Sequence, residues 1–192
     1  MRTMTLAAIS CVACCLFFAC ESGAAQLHGK AFNNRIELHN TVFALKGLGV
    51  KSYLFVKVFV AGFYVGENFK DQDALGDVPK RLDVAYFYSI PGTKLASETR
   101  RRIKLNTNQQ EFDQIKDRVN MMNSYFVDLK PGDRYALTYI PDDGTYFTYN
   151  EGLVGKIEGK DFAKALFSVW IGKYPIGEDL KESLMGNAKK PL

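Results

Sequence analysis

Cysteine and histidine are scarce in this sequence beyond its N-terminus. The four cysteines all lie at the start of the chain, at Cys11, Cys14, Cys15 and Cys20. The rest of the chain therefore offers no disulfide, no thiolate metal ligand and no cysteine nucleophile. Neither of the two histidines, His28 and His39, has a partner at the spacing of a metal site. Common motifs of hydrolase, redox and nucleotide chemistry are also missing, so the sequence predicts no metal and no cofactor.

The sequence also lacks an apolar run long enough to cross a bilayer. Residues 6–18 are apolar or small and carry no charge, but a membrane span needs about 20 residues. A short basic start precedes this segment, and the small residues 22–25 follow it. The layout predicts a secretory signal peptide over residues 1–25 and a mature domain over residues 26–192, with a transmembrane anchor as the weaker alternative.

Lipidation is a second interpretation of the same segment. The sequence Phe17-Phe18-Ala19-Cys20 resembles a lipobox, in which Cys20 is lipidated and becomes the first mature residue. Leucine usually stands where Phe17 stands, which favours a soluble periplasmic protein over a lipid-anchored one. Both interpretations predict an exported protein, periplasmic or anchored in the envelope, with membrane contact only through Cys20.

Strong charge of one sign is absent as well. The net charge is +4, and basic residues cluster only in the run Arg100–Lys104. Such a run is typical of nucleic-acid binding or of a solvated helix face, and export favours the helix face. We therefore expect no nucleic-acid partner.

Hydrophobic patterns in the first half of the mature chain predict strands. Val42–Leu45 is followed by Gly47-Leu48-Gly49, which indicates a turn. Val50–Val65 is a long apolar run that predicts a strand or hairpin buried on both faces, with Gly62 at a bulge or bend. Leu82–Ile90 alternates as a strand with one face in the core.

The second half combines helices with a further group of strands. Asn108 is placed to cap a helix whose apolar residues recur at spacings of three and four. Asp143-Gly144 predicts the turn of a hairpin between two alternating runs. The remaining predicted elements are helices over 93–106, 161–172 and 178–185 and strands over 134–140, 145–150 and 153–157. Together these elements predict an α+β domain with a mainly antiparallel sheet.

Aromatic residues are the one class in surplus, with 14 Phe and 10 Tyr. Such a surplus indicates either a well-filled core or a pocket lined by aromatic side chains with a few polar groups. The composition leaves both interpretations open.

Three segments together resemble the chalcone isomerase-like family, in particular its exported bacterial branch. The first runs from Gly47-Leu48-Gly49-Val50-Lys51 into the strand Phe55–Val65, and resembles a glycine turn followed by Phe-x-Lys-x-x-x-x-Gly-x-Tyr. The second is the stretch Gly132–Gly152 around the Asp-Gly hairpin. The third is the Trp-x-Gly end of the helix at Trp170-Ile171-Gly172, with a cap rich in leucine after it.

The resemblance implies an open-faced sandwich, in which a large antiparallel sheet and a layer of helices enclose a cleft. In the plant isomerases of the family, this cleft closes a chalcone into a flavanone. Other members are non-catalytic and bind fatty acids. No cofactor is implied in either case.

The residues at the matching positions favour binding over catalysis. Lys51 stands where the isomerases place an arginine, and it keeps the charge but loses the two-donor fork. Phe59 replaces a threonine that polarises the carbonyl, and it cannot donate a hydrogen bond. At the other matching positions, Thr99 replaces a tyrosine and Val169 replaces a polar residue, whereas Asn106 keeps an asparagine.

Three hypotheses follow. The first is a non-catalytic periplasmic protein that binds a small apolar ligand, plausibly a fatty acid, through Lys51, Tyr53, Phe59, Tyr64, Thr99, Asn106 and Val169. The second is an isomerase (intramolecular lyase) with an altered polar set, in which Tyr53, Tyr64, Thr99 and Asn106 converge in one cleft. The third is an envelope structural or interaction protein with a filled core and no cavity.

Overall fold

The computed structural model of this protein describes residues 23–67 and 69–187. Within these ranges the chain forms nine strands, four α-helices and a 3₁₀ turn over Asp71–Asp73. The strands are β1 Ala24–Leu27, β2 Lys30–Asn33, β3 Arg35–Leu38, β4 Thr41–Tyr53, β5 Val56–Gly66, β6 Lys80–Tyr86, β7 Arg134–Ile140, β8 Gly144–Tyr149 and β9 Gly152–Ile157. The helices are α1 Gly92–Asn106, α2 Gln109–Asn123, α3 Lys160–Ile171 and α4 Glu178–Leu184.

Strands β3 to β9 form a single sheet in which spatial order follows chain order. Every neighbouring pair is antiparallel, and β1 and β2 form a separate two-stranded hairpin. Helix α3 packs against α1 and α2, and α4 lies along β4. Segregation of helices from an antiparallel sheet is the α+β architecture that the sequence predicted.

Alternation along the strands divides the buried side chains between the two faces of the sheet. In β6, Leu82, Val84 and Tyr86 belong to the large core between sheet and helices. Ala85 belongs to a second cluster on the opposite face, with Phe32 from β2. We call these two surfaces the helix face and the hairpin face of the sheet. Successive Cβ atoms point to opposite sides of a strand, so one strand supplies side chains to both faces of the sheet.

Several predicted elements match the structure closely. Strand β7 has the bounds predicted, and Asn108 caps α2 through a capping box with Glu111. The Asn108 Oδ1 accepts from the Glu111 N–H at 2.9 Å, and the Glu111 carboxylate accepts from the Asn108 N–H at 2.8 Å. Two otherwise unpaired N–H groups are satisfied this way, which fixes where the helix begins.

The predicted turn at Gly47-Leu48-Gly49 is wrong, because β4 continues through these residues to Tyr53. Because the two glycines have no side chains, helix α4 packs closely against β4 at this point. A Cβ atom at Gly47 would lie 2.2 Å from the Ser183 carbonyl oxygen, and one at Gly49 would lie 2.6 Å from Leu180 Cδ1. Glycine in a strand marks a close approach of another segment as well as a turn, and the sequence did not distinguish the two.

The run Val50–Val65 is a hairpin, with Leu54 and Phe55 as its two turn residues. Register shifts occur between Leu45 and Gly47 and between Lys51 and Ser52, so the bulge predicted at Gly62 lies elsewhere. Gly62 is in contact with the Phe32 ring on the hairpin face, where a Cβ atom would lie 2.9 Å from that ring.

The lipobox at Cys20 and residues 1–22 of the predicted signal peptide lie outside the described residues. The predicted cleavage after Ala25 falls inside β1. Processing at that position stays a prediction.

Candidate functional site

A cavity of about 440 Å³ lies between the helix face of the sheet and the helices. Strands β5, β6 and β7 supply its floor, and α1 and α3 supply its roof. Its apolar wall consists of Val58, Phe59, Val84, Tyr86, Ile90, Leu95, Phe126, Tyr135, Leu137, Val169, Trp170 and Ile176. A cavity of this size lined by apolar and aromatic side chains is typical of a small-molecule site.

Two aromatic side chains in the cavity wall, Trp170 and Tyr86, carry hydrogen-bond donors. Trp170 lines the cavity, and its Nε1–H is buried without a partner among the described residues. Tyr86 is buried, and desolvation raises the pKa of its hydroxyl above the ordinary value of tyrosine. The Tyr86 hydroxyl therefore stays protonated at neutral pH. Buried donors in a cavity wall are the groups that orient a ligand.

Three charged residues contribute to the lining of the cavity: Lys51, Lys94 and Glu98. Glu98 already accepts from Arg101 at 2.7 and 2.8 Å and from Arg102 at 2.9 Å. These hydrogen bonds, with Arg101 the larger contributor, lower the pKa of Glu98 to about 2. Within the described part of the chain, neither Lys51 nor Lys94 forms an ion pair. Two ammonium groups therefore stay available to an anion, while the nearby carboxylate is engaged.

The arrangement has a counterpart among known protein families. A family model described as chalcone isomerase-like matches residues 24–186. The chain belongs to the chalcone isomerase-like family. A crystal structure of a fatty-acid-binding protein from Arabidopsis thaliana has the same fold, with a TM-score of 0.66 at 14% identity, and the match covers 86% of this chain and 97% of that one. No curated protein sequence matches the chain.

Seven residues of this chain were predicted to form the binding site. Five of them line the cavity: Lys51, Tyr53, Phe59, Thr99 and Val169. Phe59 and Val169 lie in its apolar wall. Phe59 packs against Tyr86, with ring centroids 5.5 Å apart. Their role in binding stays a prediction, but the structure does bring these five side chains together.

Asn106 lies outside the cavity, at the C-terminal end of α1. Its Nδ2 donates to the Arg102 and Tyr174 carbonyl oxygens, and its Oδ1 accepts from the Tyr174 N–H at 2.9 Å. The two hydrogen bonds to Tyr174 tie α1 to the loop after α3. The asparagine is placed to hold the chain together there, not to contact a ligand in the cavity.

Tyr64 also lies elsewhere, because its position in β5 turns it to the hairpin face. It is fully buried there and lines a second hollow of about 460 Å³, with Arg81, Asp83 and Arg134. The four residues expected by the isomerase hypothesis thus do not converge: Tyr53 and Thr99 line the cavity, whereas Tyr64 and Asn106 do not.

Among the site residues that sequence reasoning missed are Tyr86, Lys94 and Trp170. Tyr86 follows Leu82 and Val84 on the side of β6 that was predicted to face the core, so its position was available as a signal. Trp170 belongs to the Trp-x-Gly motif, and nothing in that motif marked its N–H as unpaired. Lys94 carried no signal, since it is one lysine in the first turn of a helix.

The described residues hold no group of three or more His, Cys, Asp or Glu side chains placed to bind a metal. Over the same ranges, no helix is both long enough and apolar enough to cross a membrane.

Proposed function

We propose that this protein binds a fatty acid, or a similar molecule with one acidic group and an apolar chain, and does not transform it. The single observation that carries the proposal is the cavity: an apolar enclosure of about 440 Å³ whose lining includes two lysines without an ion pair among the described residues. The hydrophobic effect favours an acyl chain inside it, at about 25 cal/mol for each Å² of apolar surface removed from water.

The charges at the cavity support an acidic head on the ligand. Lys51 and Lys94 are uncommitted among the described residues, and Glu98 is held by two arginines, so a carboxylate would meet attraction without an opposing free carboxylate. The unpaired Trp170 N–H adds a donor within the wall. The structural neighbour from Arabidopsis thaliana is named as a fatty-acid-binding protein, which agrees with this ligand class.

The composition of the wall argues against isomerase chemistry. Phe59 and Val169 occupy positions where the resemblance to the plant enzymes places polar groups, and neither can stabilise developing charge. The filled-core hypothesis requires that no cavity exist, and it does not account for the observed one.

We also propose that the protein works after export, in the periplasm or on the envelope. The proposal depends on the residue pattern of the first 25 residues. Cell fractionation together with the intact mass of the purified protein tests it. A mass beginning after Ala25 supports a soluble form, lipid on Cys20 supports an anchored form, and an unprocessed cytoplasmic chain would contradict both.

Native mass spectrometry of the protein purified without detergent is the decisive experiment for the ligand. We expect a bound acid, identified after organic extraction, and we expect Lys51→Met to weaken its binding about tenfold or more through loss of a charged partner. Lys116→Met, which removes an exposed lysine from α2, is the matched control and should change nothing.

A protein that carries no ligand and takes up none when fatty acids are offered would refute the proposal. Turnover of a chalcone by the same preparation would replace it with the isomerase function.

A further inference from the structure

The turn of the β4–β5 hairpin adopts an unfavourable backbone conformation. Leu54 and Phe55 both have positive φ, at 45° and 67°. A two-residue hairpin turn with this geometry normally uses Asn-Gly or Gly-Gly, because a Cβ atom and a long side chain crowd the left-handed region. Here two large apolar residues occupy it, so local backbone preference does not explain the sequence of the turn.

Burial does not explain that sequence either. The Phe55 side chain is fully exposed, and Leu54 is 74% exposed. The flanking residues Tyr53 and Val56, and Tyr88 from the segment after β6, are exposed as well. We call these five residues the apolar tip. Backbone strain combined with exposed apolar side chains is unfavourable to the isolated fold on both counts, which points to a contact outside the molecule.

The apolar tip adjoins the mouth of the cavity. A shallow apolar groove beneath it is lined by Tyr53, Leu54, Val56 and Tyr88. Three further residues of this groove, Val58, Ile90 and Lys94, also line the cavity itself. A molecule leaving the cavity on this side would therefore pass along an apolar surface to the tip.

The charged residues closest to the apolar tip along the chain are lysines. Lys51 and Lys57 flank it on the two strands of the hairpin, and Lys94 lies beside the groove. The stretches 50–66 and 84–97 contain no acidic residue. Glu98, the residue directly after the second stretch, is paired with Arg101 and Arg102. Lysines beside an apolar projection complement a surface of anionic headgroups.

We propose that the apolar tip inserts into the surface of an anionic lipid bilayer and that the cavity exchanges its ligand there. The exchange rests on the proposed function, whereas the insertion stands without it. A lipid surface suits the tip better than a folded protein partner does. A stable protein interface needs about 800 Å² of complementary surface on each side, whereas a bilayer accepts a few projecting apolar and tyrosine side chains of any shape.

The key variant combines Leu54→Asn with Phe55→Gly, which gives the turn the sequence that its backbone prefers. We expect the melting temperature to rise by about 2–4 °C, because strain is relieved. We expect affinity for vesicles of phosphatidylcholine with phosphatidylglycerol to fall at least about tenfold, because two apolar side chains no longer enter the lipid. Loss of binding in a variant that is more stable cannot be ascribed to misfolding.

Two further variants complete the vesicle experiment, which uses the full chain as the cell processes it, so that any N-terminal anchor is common to all samples. Leu153→Asn removes another exposed leucine, in β9, and should leave binding unchanged. Lys57→Gln should weaken binding about fivefold and reduce its dependence on phosphatidylglycerol.

Equal binding of vesicles by the wild type and the Asn-Gly variant would overturn the insertion. Native mass spectrometry of both proteins separates this failure from failure of the proposed function. A bound acid without any tip-dependent vesicle binding refutes the tip alone, and tip-dependent vesicle binding without any ligand supports the insertion and refutes the exchange.

Discussion

The two faces of the sheet enclose spaces of nearly equal size and opposite chemistry. The cavity on the helix face measures about 440 Å³ and has an apolar wall, whereas the hollow on the hairpin face measures about 460 Å³ and contains Arg81, Asp83 and Arg134. The same strands build both, through alternate residues. Volume alone therefore does not identify a binding site in this protein, and the chemistry of the wall decides what each space can hold.

The polar hollow is organised as a cluster within the fold. The Arg81 Nη1 donates to Thr138 Oγ1 at 2.6 Å, and the Arg134 Nη2 donates to the Ala31 carbonyl oxygen at 2.6 Å. The Asp83 carboxylate lies between the two guanidinium groups, 3.7 Å from Arg81 and 3.5 Å from Arg134. This cluster joins β6 and β7 to the N-terminal hairpin, so we assign it to stability and assign the apolar cavity to binding.

The largest expected effect tests that division on the hairpin face. Replacing Asp83 by Ala should lower the free energy of unfolding by about 3 kcal/mol, because two partly buried guanidinium groups lose the carboxylate between them. Urea denaturation measures the loss, and the variant should still bind the ligand. Glu151→Ala, at the exposed rim of the same hollow, should change the free energy by no more than about 0.5 kcal/mol. Loss of ligand by folded Asp83→Ala protein would break the division between the faces.

A smaller effect on stability is expected from Lys80. This buried lysine lies on the helix face, at the end of β6 away from the cavity. Burial lowers the pKa of Lys80 to about 8. Between pH 8 and its ordinary pKa of 10.5, the unfolded chain retains a proton that the folded chain has released, so stability should rise with pH. The expected gain from pH 8 to pH 10 is about 2 kcal/mol.

The measurement for Lys80 is the pH dependence of unfolding in the wild type minus that in Lys80→Met. Subtraction removes the contributions of the tyrosines, which titrate in the same range. A difference that is flat or that falls with pH would show that Lys80 retains its charge in the fold.

The smallest expected effect tests the cavity itself. Val169→Phe should fill part of the space and weaken ligand binding about tenfold, equivalent to about 1.4 kcal/mol. The free energy of unfolding should stay constant or increase, since a void is filled. Unchanged ligand affinity, measured by titration with a fatty acid, would place the binding site outside this cavity.

Much of the fold could be predicted because its signals are local. The capping box at Asn108, the Asp143-Gly144 hairpin turn and the bounds of β7 each depend on a few neighbouring residues. Strands β1, β2 and β3 were missed because each is four residues long and buries few apolar side chains, which leaves little periodicity to detect.

The site was predicted in part, for the same reason. Lys51, Phe59 and Val169 line the cavity and were found through the family resemblance. Tyr64 was assigned to the wrong face, although its distance of five residues from Phe59 along one strand already placed the two on opposite sides. Asn106 matched a motif, but its hydrogen bonds to Tyr174 depend on a loop about 70 residues away along the chain.

The sequence by itself determined the α+β class, the order of most elements and the family, because periodicity, caps and turn residues act over a few positions. The tertiary structure decided what each ambiguous residue does. Packing decides whether Gly47 turns the chain or makes room for a helix. It also decides whether Tyr64 contacts a ligand or an ion cluster, and whether Leu54 and Phe55 are buried or exposed. Those contacts join distant segments, and no local pattern encodes them.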